Sequence, residues 1–271
     1  MRKYVKYIVM GTIAAVLSAL LLKPSKVQDP APRSYEEIIR SGVLRAVTEY
    51  NSISFHASGD SIEGFHYELL QAFAKDKGLE VEITPRMSFE ERIQGIHRGD
   101  YDVLANHVMV TTELKDTLLF TSPIVQNRLV LVQRKAQGEE DSCYIKSALE
   151  LANKTLHVAK GSPAILRIHN LSNEIGDTIY VKEIEKYGQE HLLALVASGD
   201  IDYAVCNENI AKASIESMPE LDIQTVISFN QFYSWGVNKK NTALRDTLDQ
   251  WLDSFKQTKA FKQIMKKYYK N

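Results

Sequence analysis

The pattern that most restricts this chain is a corner that occurs twice. Gly99-Asp100-Tyr101-Asp102-Val103-Leu104 returns as Gly199-Asp200-Ile201-Asp202-Tyr203-Ala204-Val205, each time after a helical stretch (92–98, then 191–198) and before an apolar strand. The glycine supplies the positive φ that lets a chain leave a helix, and the aspartates suit the turn that follows. Taken alone this is a common helix–turn–strand corner. Each copy, however, sits inside a long stretch of alternating strands and helices, the composition of βα units on a mainly parallel sheet. Two α/β lobes of similar build are therefore expected, with a cleft between them.

Local signals fill in the lobes. Ser34-Tyr35-Glu36-Glu37 has the form of a capping box ahead of Ile38 and Ile39, and Gly42 ends that short helix. Residues 43–47 form an apolar strand and 49–64 a polar loop. Phe65, Leu69, Leu70, Phe73 and Ala74 fall at helical spacing up to a C-cap at Gly78. A half-exposed strand follows at 79–83, a helix at 89–98 and a buried strand at 103–105. Leu129-Val130-Leu131-Val132 is a strong strand, and the polar stretch 133–140 after it suits a first crossing between lobes. Residues 226–229 and 233–237 suit the return. Two amphipathic helices close the chain, one carrying Leu244, Leu248, Trp251, Leu252 and Phe255, the other Phe261, Ile264, Met265 and Tyr268, with a break near Thr258. The expected division is 34–135 with 226–271 as lobe one, and 136–225 as lobe two.

Composition removes several function classes. A formal net charge of −1 over 271 residues lacks the basic excess of a nucleic-acid binder. Two cysteines make neither a disulfide framework nor a four-cysteine zinc site; a Cys143–Cys206 bridge and two separate thiols both fit. The seven histidines contain no His-x-x-x-His pair, and the 13 glycines form no phosphate-cradling loop, so neither a metal nor a cofactor is expected. At the amino end, Met1-Arg2-Lys3-Tyr4-Val5-Lys6-Tyr7 precedes an apolar run at 8–22. That is the form of a secretory signal peptide, or of a short uncleaved anchor with its basic end inside. Prolines at 24, 30 and 32 mark a linker, so residues 1–33 read as a targeting or anchoring segment plus linker, and the folded part as periplasmic or otherwise extracytoplasmic.

Gly42-Val43-Leu44-Arg45-Ala46, Gly64-Phe65-His66-Tyr67-Glu68-Leu69-Leu70, the two Gly-Asp-x-Asp corners, Thr111-Thr112-Glu113 leading to Phe120-Thr121-Ser122-Pro123, and Lys267-Tyr268 occur in one order across 34–271. In that order and spacing the chain resembles the family 3 extracellular solute-binding proteins, and within them the solute-binding module of membrane-bound lytic murein transglycosylases of the F type. The resemblance implies a two-lobed periplasmic-binding-protein type II fold that hinges shut over a small ligand. It implies first-lobe contacts at Asn106, His107, Met109 and Thr111, with Phe55 as an apolar wall. It implies second-lobe contacts at Gly161 and Ser162, opening a helix whose N–H groups favour an anionic ligand group, and at Asn207.

Two departures bear on the ligand. Amino-acid receptors of the family carry an arginine where this chain has Leu114 and usually an aspartate where it has Asn207. Without those charges, a free amino acid loses the charge-assisted bonds at both its ends. Lys115 and Lys160 are the nearby cations that offer compensation. The murein-cleaving activity of the relatives belongs to a separate lysozyme-like domain that these residues do not contain. Glu216-Ser217 matches its dipeptide but not the sequence after it, and Cys206 has no nucleophile motif around it, so no enzyme activity is expected. The reading is a binding protein for a peptide, amino-acid derivative or cell-wall fragment, serving an ABC transporter permease or sensing. The alternative is a non-catalytic relative of the murein enzyme that binds peptidoglycan-derived peptides, and a distant third is an enzyme on this fold of the cyclohexadienyl dehydratase type.

Overall fold

The structure is a computed structural model and describes residues 31–139, 141–185 and 188–269. The targeting segment and most of the linker expected at 1–33 lie outside the described residues. Among the described residues no helix is long and apolar enough to cross a membrane.

Helix α1 (Tyr35–Ser41) starts on the capping box: Ser34 Oγ accepts the Glu37 N–H and the Glu37 carboxylate accepts the Ser34 N–H. Strand β1 (Val43–Thr48) follows, then a small hairpin, β2 (His56–Ser58) and β3 (Ser61–Glu63), inside the stretch read as a loop. Strands of three residues, mostly exposed, are too short for a periodicity to show. Helix α2 (Phe65–Lys77) buries all five of the apolar residues picked out by spacing, and His66 with them. Then come β4 (Glu80–Pro85), α3 (Phe89–Arg98), the fully buried β5 (Val103–Met109), α4 (Thr112–Thr117), β6 (Leu118–Phe120) and β7 (Val125–Asn127). After Arg128 the chain runs through β8 (Leu129–Arg134), β9 (Thr155–Ala159), α5 (Ala164–Ile175), β10 (Tyr180–Ile184), α6 (Gln189–Ser198), β11 (Ala204–Asn207), α7 (Glu208–Ile215) and β12 (Leu221–Asp222). It returns as β13 (Gln231–Asn238) and ends in α8 (Thr242–Phe255) and α9 (Lys259–Tyr268), with Thr258 capping the second.

These strands make two separate large sheets, as two lobes require. The first has the order β4-β1-β5-β13-β6, with β7 also on β13; the second has β10-β9-β11-β8-β12. The sheets are mixed rather than mostly parallel. β1 runs parallel to β4 and β5, and β9 to β10 and β11, but β13 and β8 are antiparallel to every neighbour. Both of those strands follow the passages between lobes, so no right-handed helical crossover dictates their direction.

The lobe boundaries also move. Residues 129–134, placed in lobe one by sequence, pair with β11 and β12 in the second sheet. Ile227 is buried in that lobe's core and its N–H donates to Leu129 O. The chain therefore crosses near Arg128 and again at 229–230. A strand apolar on both faces announces burial, but not which sheet buries it. The closing helices belong to lobe one, where Trp251, Phe261 and Tyr268 pack with Phe65, Phe73 and Trp235.

The repeated corner is real in three dimensions. Gly99 and Gly199 cap their helices at φ 81° and 84°. In each copy the second aspartate meets an arginine from another strand. Asp102 accepts from the Arg45 N–H at 2.8 Å and from the Arg33 and Arg45 guanidiniums, while Asp202 accepts from Arg134 at 2.6 Å. Cys143 is exposed and Cys206 buried, both as free thiols, so the bridge between them is not made.

Candidate functional site

The C-terminal ends of β1, β5, β9, β10 and β11 face one gap between the lobes. Open α/β sheets take ligands at such strand ends, where loops diverge and backbone groups are unpaired. A cavity of about 380 Å³ occupies the gap. Asn106, His107 and Met109 from β5, Ser162 after β9, and Asn207 at the end of β11 all line it.

Three expected contacts do not. Phe55 stands edge-on to Tyr50 and Tyr67, with ring centroids 6.4 and 6.0 Å away, in a turn closed by paired backbone bonds to Asn51. Thr111 caps α4, its Oγ1 accepting the Leu114 N–H at 3.3 Å. Gly161 is exposed in a left-handed turn and its N–H donates to Glu183 at 2.6 Å. The helix-start anion site goes with it. Helix α5 begins at Ala164; the Ser162 N–H donates to Ala159 O, and Ser162 Oγ accepts from the Ala164 N–H. These backbone donors are already engaged by the chain itself.

The strongest charges in the wall cancel each other. Arg92 on α3 and Glu49 at the end of β1 are both buried and pair at 3.3 Å, and a second Arg92 nitrogen donates to Met87 O at 2.9 Å. Burial raises the Glu49 carboxyl above its usual range and lowers the Arg92 guanidinium; each opposes the other's shift. Lys160 is likewise taken, 2.7 Å from Glu185. Leu114, in the arginine's place, packs against the Val47–Ile96–Leu104 cluster, and Lys115 is exposed outside the cavity lining.

Glu90 and Glu91 of α3 also line the cavity; deeper in it, the groups left for a ligand are amides. Asn106 is 3 % exposed, and its Oδ1 is buried without a hydrogen-bond partner. A buried acceptor left unpaired costs roughly 1–3 kcal/mol, which a ligand N–H arriving there recovers. Asn207 is the converse. Its Oδ1 accepts from the Tyr233 hydroxyl at 2.6 Å, which leaves the side-chain NH₂ as the end that a ligand can meet. The cleft floor therefore holds one amide donor, and beneath it one unpaired amide acceptor that a small side-chain turn at Asn106 would bring to a ligand.

His107 lines the cavity but has no nitrogen to spare. The Trp235 indole can only donate, here to His66 Nδ1 at 2.9 Å, so His66 carries its proton on Nε2 and gives it to His107 Nδ1 at 3.2 Å. His107 Nε2 then faces the Tyr269 hydroxyl, with the Asn209 amide 3.1 Å away. Burial holds both rings neutral, lowering His107 to about 3. It is a positioned strand residue rather than a ligand hook. Glu49, Arg92, Gln189 and Tyr233 line the site without having been expected there. The only trace of them in the sequence is a charge placed directly after an apolar strand, at Glu49.

The sequence matches the profile of bacterial extracellular solute-binding proteins, family 3, over residues 44–271. It is 26% identical over 265 residues to a membrane-bound lytic murein transglycosylase F of Photobacterium profundum, covering 97% of this chain and 50% of that protein. A protein of the same name from Desulfosudis oleivorans is 26% identical over 88% of this chain and 51% of its own length. The chain thus spans about half the length of the curated relatives it matches. Among solved structures, a mutant of the arginine-binding protein ArgBP from T. maritima superposes with a TM-score of 0.74 at 21% identity, covering 87% of this chain and 99% of that one. An ancestral arginine-binding protein bound to arginine gives 0.73 at 24% identity, over 84% and 98%. At these identities the structures attest the two-lobed fold alone.

Proposed function

Because the chain belongs to the family 3 bacterial extracellular solute-binding proteins, we propose that its cleft closes around a small ligand read chiefly through uncharged amide groups. A short peptide or an amide-bearing cell-wall fragment fits this description, taken up for delivery to a transporter or for sensing. One observation carries the reading: the unpartnered Asn106 Oδ1, and the Asn207 NH₂ whose Oδ1 is already taken by Tyr233, match the N–H and C=O of a peptide group. The mutual neutralisation of Glu49 and Arg92 and the loss of the family's arginine at Leu114 support it. A zwitterion needs charge-assisted bonds worth about 1.5–3 kcal/mol each, where neutral ones contribute about 0.5–1.5. Free α-amino acids are thus expected to bind roughly 30- to 150-fold more weakly than in a receptor with both charges.

A thermal-shift screen tests this, because a ligand bound only by the folded state raises its melting temperature. Stem peptides released from peptidoglycan should stabilise the protein, and the twenty amino acids should not. A shift with an amino acid alone would reverse the reading.

A second reading, regulation without catalysis in cell-wall metabolism, is favoured by the 97% coverage of this chain within a transglycosylase F. In both readings the chain itself is no enzyme. Burial pushes the Cys206 thiol well up, away from the thiolate a nucleophile needs. Incubation with peptidoglycan should release no muropeptides. Release that disappears in Glu216→Gln would show otherwise.

A further inference from the structure

We propose that the lobes carry their own latch, a contact between Glu49 and Ser52 of the first lobe and residues 188–190 of the second, which holds the cleft shut without a ligand. Gly188 is the N-cap of helix α6 and brings no side-chain cap. The other lobe comes up to it: the buried Glu49 carboxylate lies at the positive end of the helix, so close to Gly188 that a side chain there would meet it. Gly188 makes room for it. A Cβ built there would stand 2.6 Å from Glu49 Oε1 and 2.7 Å from the Met87 methyl. The φ of Gly188 is −82°, which any residue adopts, so a methyl there would have to displace only the Glu49 and Met87 side-chain tips.

A second exchange runs the opposite way. Glu190, in the first turn of α6, accepts from the Ser52 N–H at 2.9 Å and from the Ser52 hydroxyl. A carboxylate from each lobe thus faces the other, and Glu190 satisfies two donors there. The two carboxylates repel one another, and Arg92 behind Glu49 offsets that. Gln189 ties the latch to the cleft floor, its side-chain oxygen accepting the Asn207 N–H at 2.6 Å. A ligand shifts an open–closed equilibrium only by its differential affinity for the two states. Where the protein's own contacts already favour closure, the ligand meets a formed site. The inference does not depend on what that ligand is.

Interlobe distance tests it directly. Spin labels are placed at Lys75→Cys on α2 and Asn173→Cys on α5, with Cys143→Ser to remove the exposed native thiol, and the full chain is refolded from denaturant to strip bound solutes. Electron–electron resonance of the unliganded protein should give one narrow, short distance. Glu190→Gln, which weakens the acceptor of both Ser52 donors, should broaden it toward longer distances while far-ultraviolet dichroism stays native. Should that variant fail to fold, Ser52→Ala removes a single hydroxyl and should broaden the distribution toward the longer distance. A distance already long in the unliganded parent, or unmoved by the variants that fold, overturns the latch.

Discussion

At the scale of single residues, burial decides what each charge is worth. Asp102 and Asp202 occupy the same place in the repeated corner, but the Asp102 side chain is 1% exposed and that of Asp202 is 67% exposed. Asp102 answers two guanidiniums and a backbone N–H, so removing it leaves partly buried cations uncompensated. Asp102→Ala should cost about 3–5 kcal/mol in urea unfolding, and Asp202→Ala under about 1. Equal costs would contradict this assignment. The His66–His107 pair adds a pH signature. Both are held neutral by burial, so their folded-state pKa values lie below the unfolded value of about 6.5. Their contribution is complete above about pH 6.5 and is lost as the pH falls from there toward about 3, because the unfolded chain binds protons the native one refuses. Between pH 7 and 5, His107 alone should account for roughly 2 kcal/mol of lost stability. His107→Gln should flatten that slope; an unchanged slope would remove His107 as its source.

At the scale of elements, junctions matter more than propensities. Gly64, between the β2–β3 hairpin and α2, has φ 146°, and a Cβ there would fall 2.3 Å from the Ser54 carbonyl oxygen. Backbone cannot yield as a side-chain tip can, so Gly64→Ala should lower stability by about 2–4 kcal/mol, read by urea unfolding. Gly176→Ala, also at positive φ but with open space around its Cβ, should cost less. The long helices were legible because apolar spacing and a closing glycine are local signals: α2, α3, α8 and α9 lie where Phe65, Gly99 and Thr258 place them. The hairpin, the strand directions and the lobe of β8 were not. They depend on pairing partners far along the chain, and Leu129-Val130-Leu131-Val132 reads the same in either sheet. The site divides in the same way. Asn106 and Asn207 show as polar residues at the ends of apolar strands, whereas the Arg92–Glu49 pairing across 43 positions leaves no local mark.

At the scale of the whole molecule, two sheets joined near Arg128 and 229–230 place a cavity where their strand ends meet, and the chain's own contacts take up most of the charge around it. The proposal that this cleft reads amide groups is tested most directly by calorimetry. Stem peptides from peptidoglycan and the twenty amino acids are titrated into the wild-type chain, Asn106→Ala and Asn207→Ala. At least one peptide should bind the wild type with micromolar affinity. Each substitution should weaken that binding roughly threefold to tenfold, the value of one neutral hydrogen bond, and no free amino acid should approach it. A free amino acid bound at micromolar affinity or better, with the peptides silent, would contradict the account.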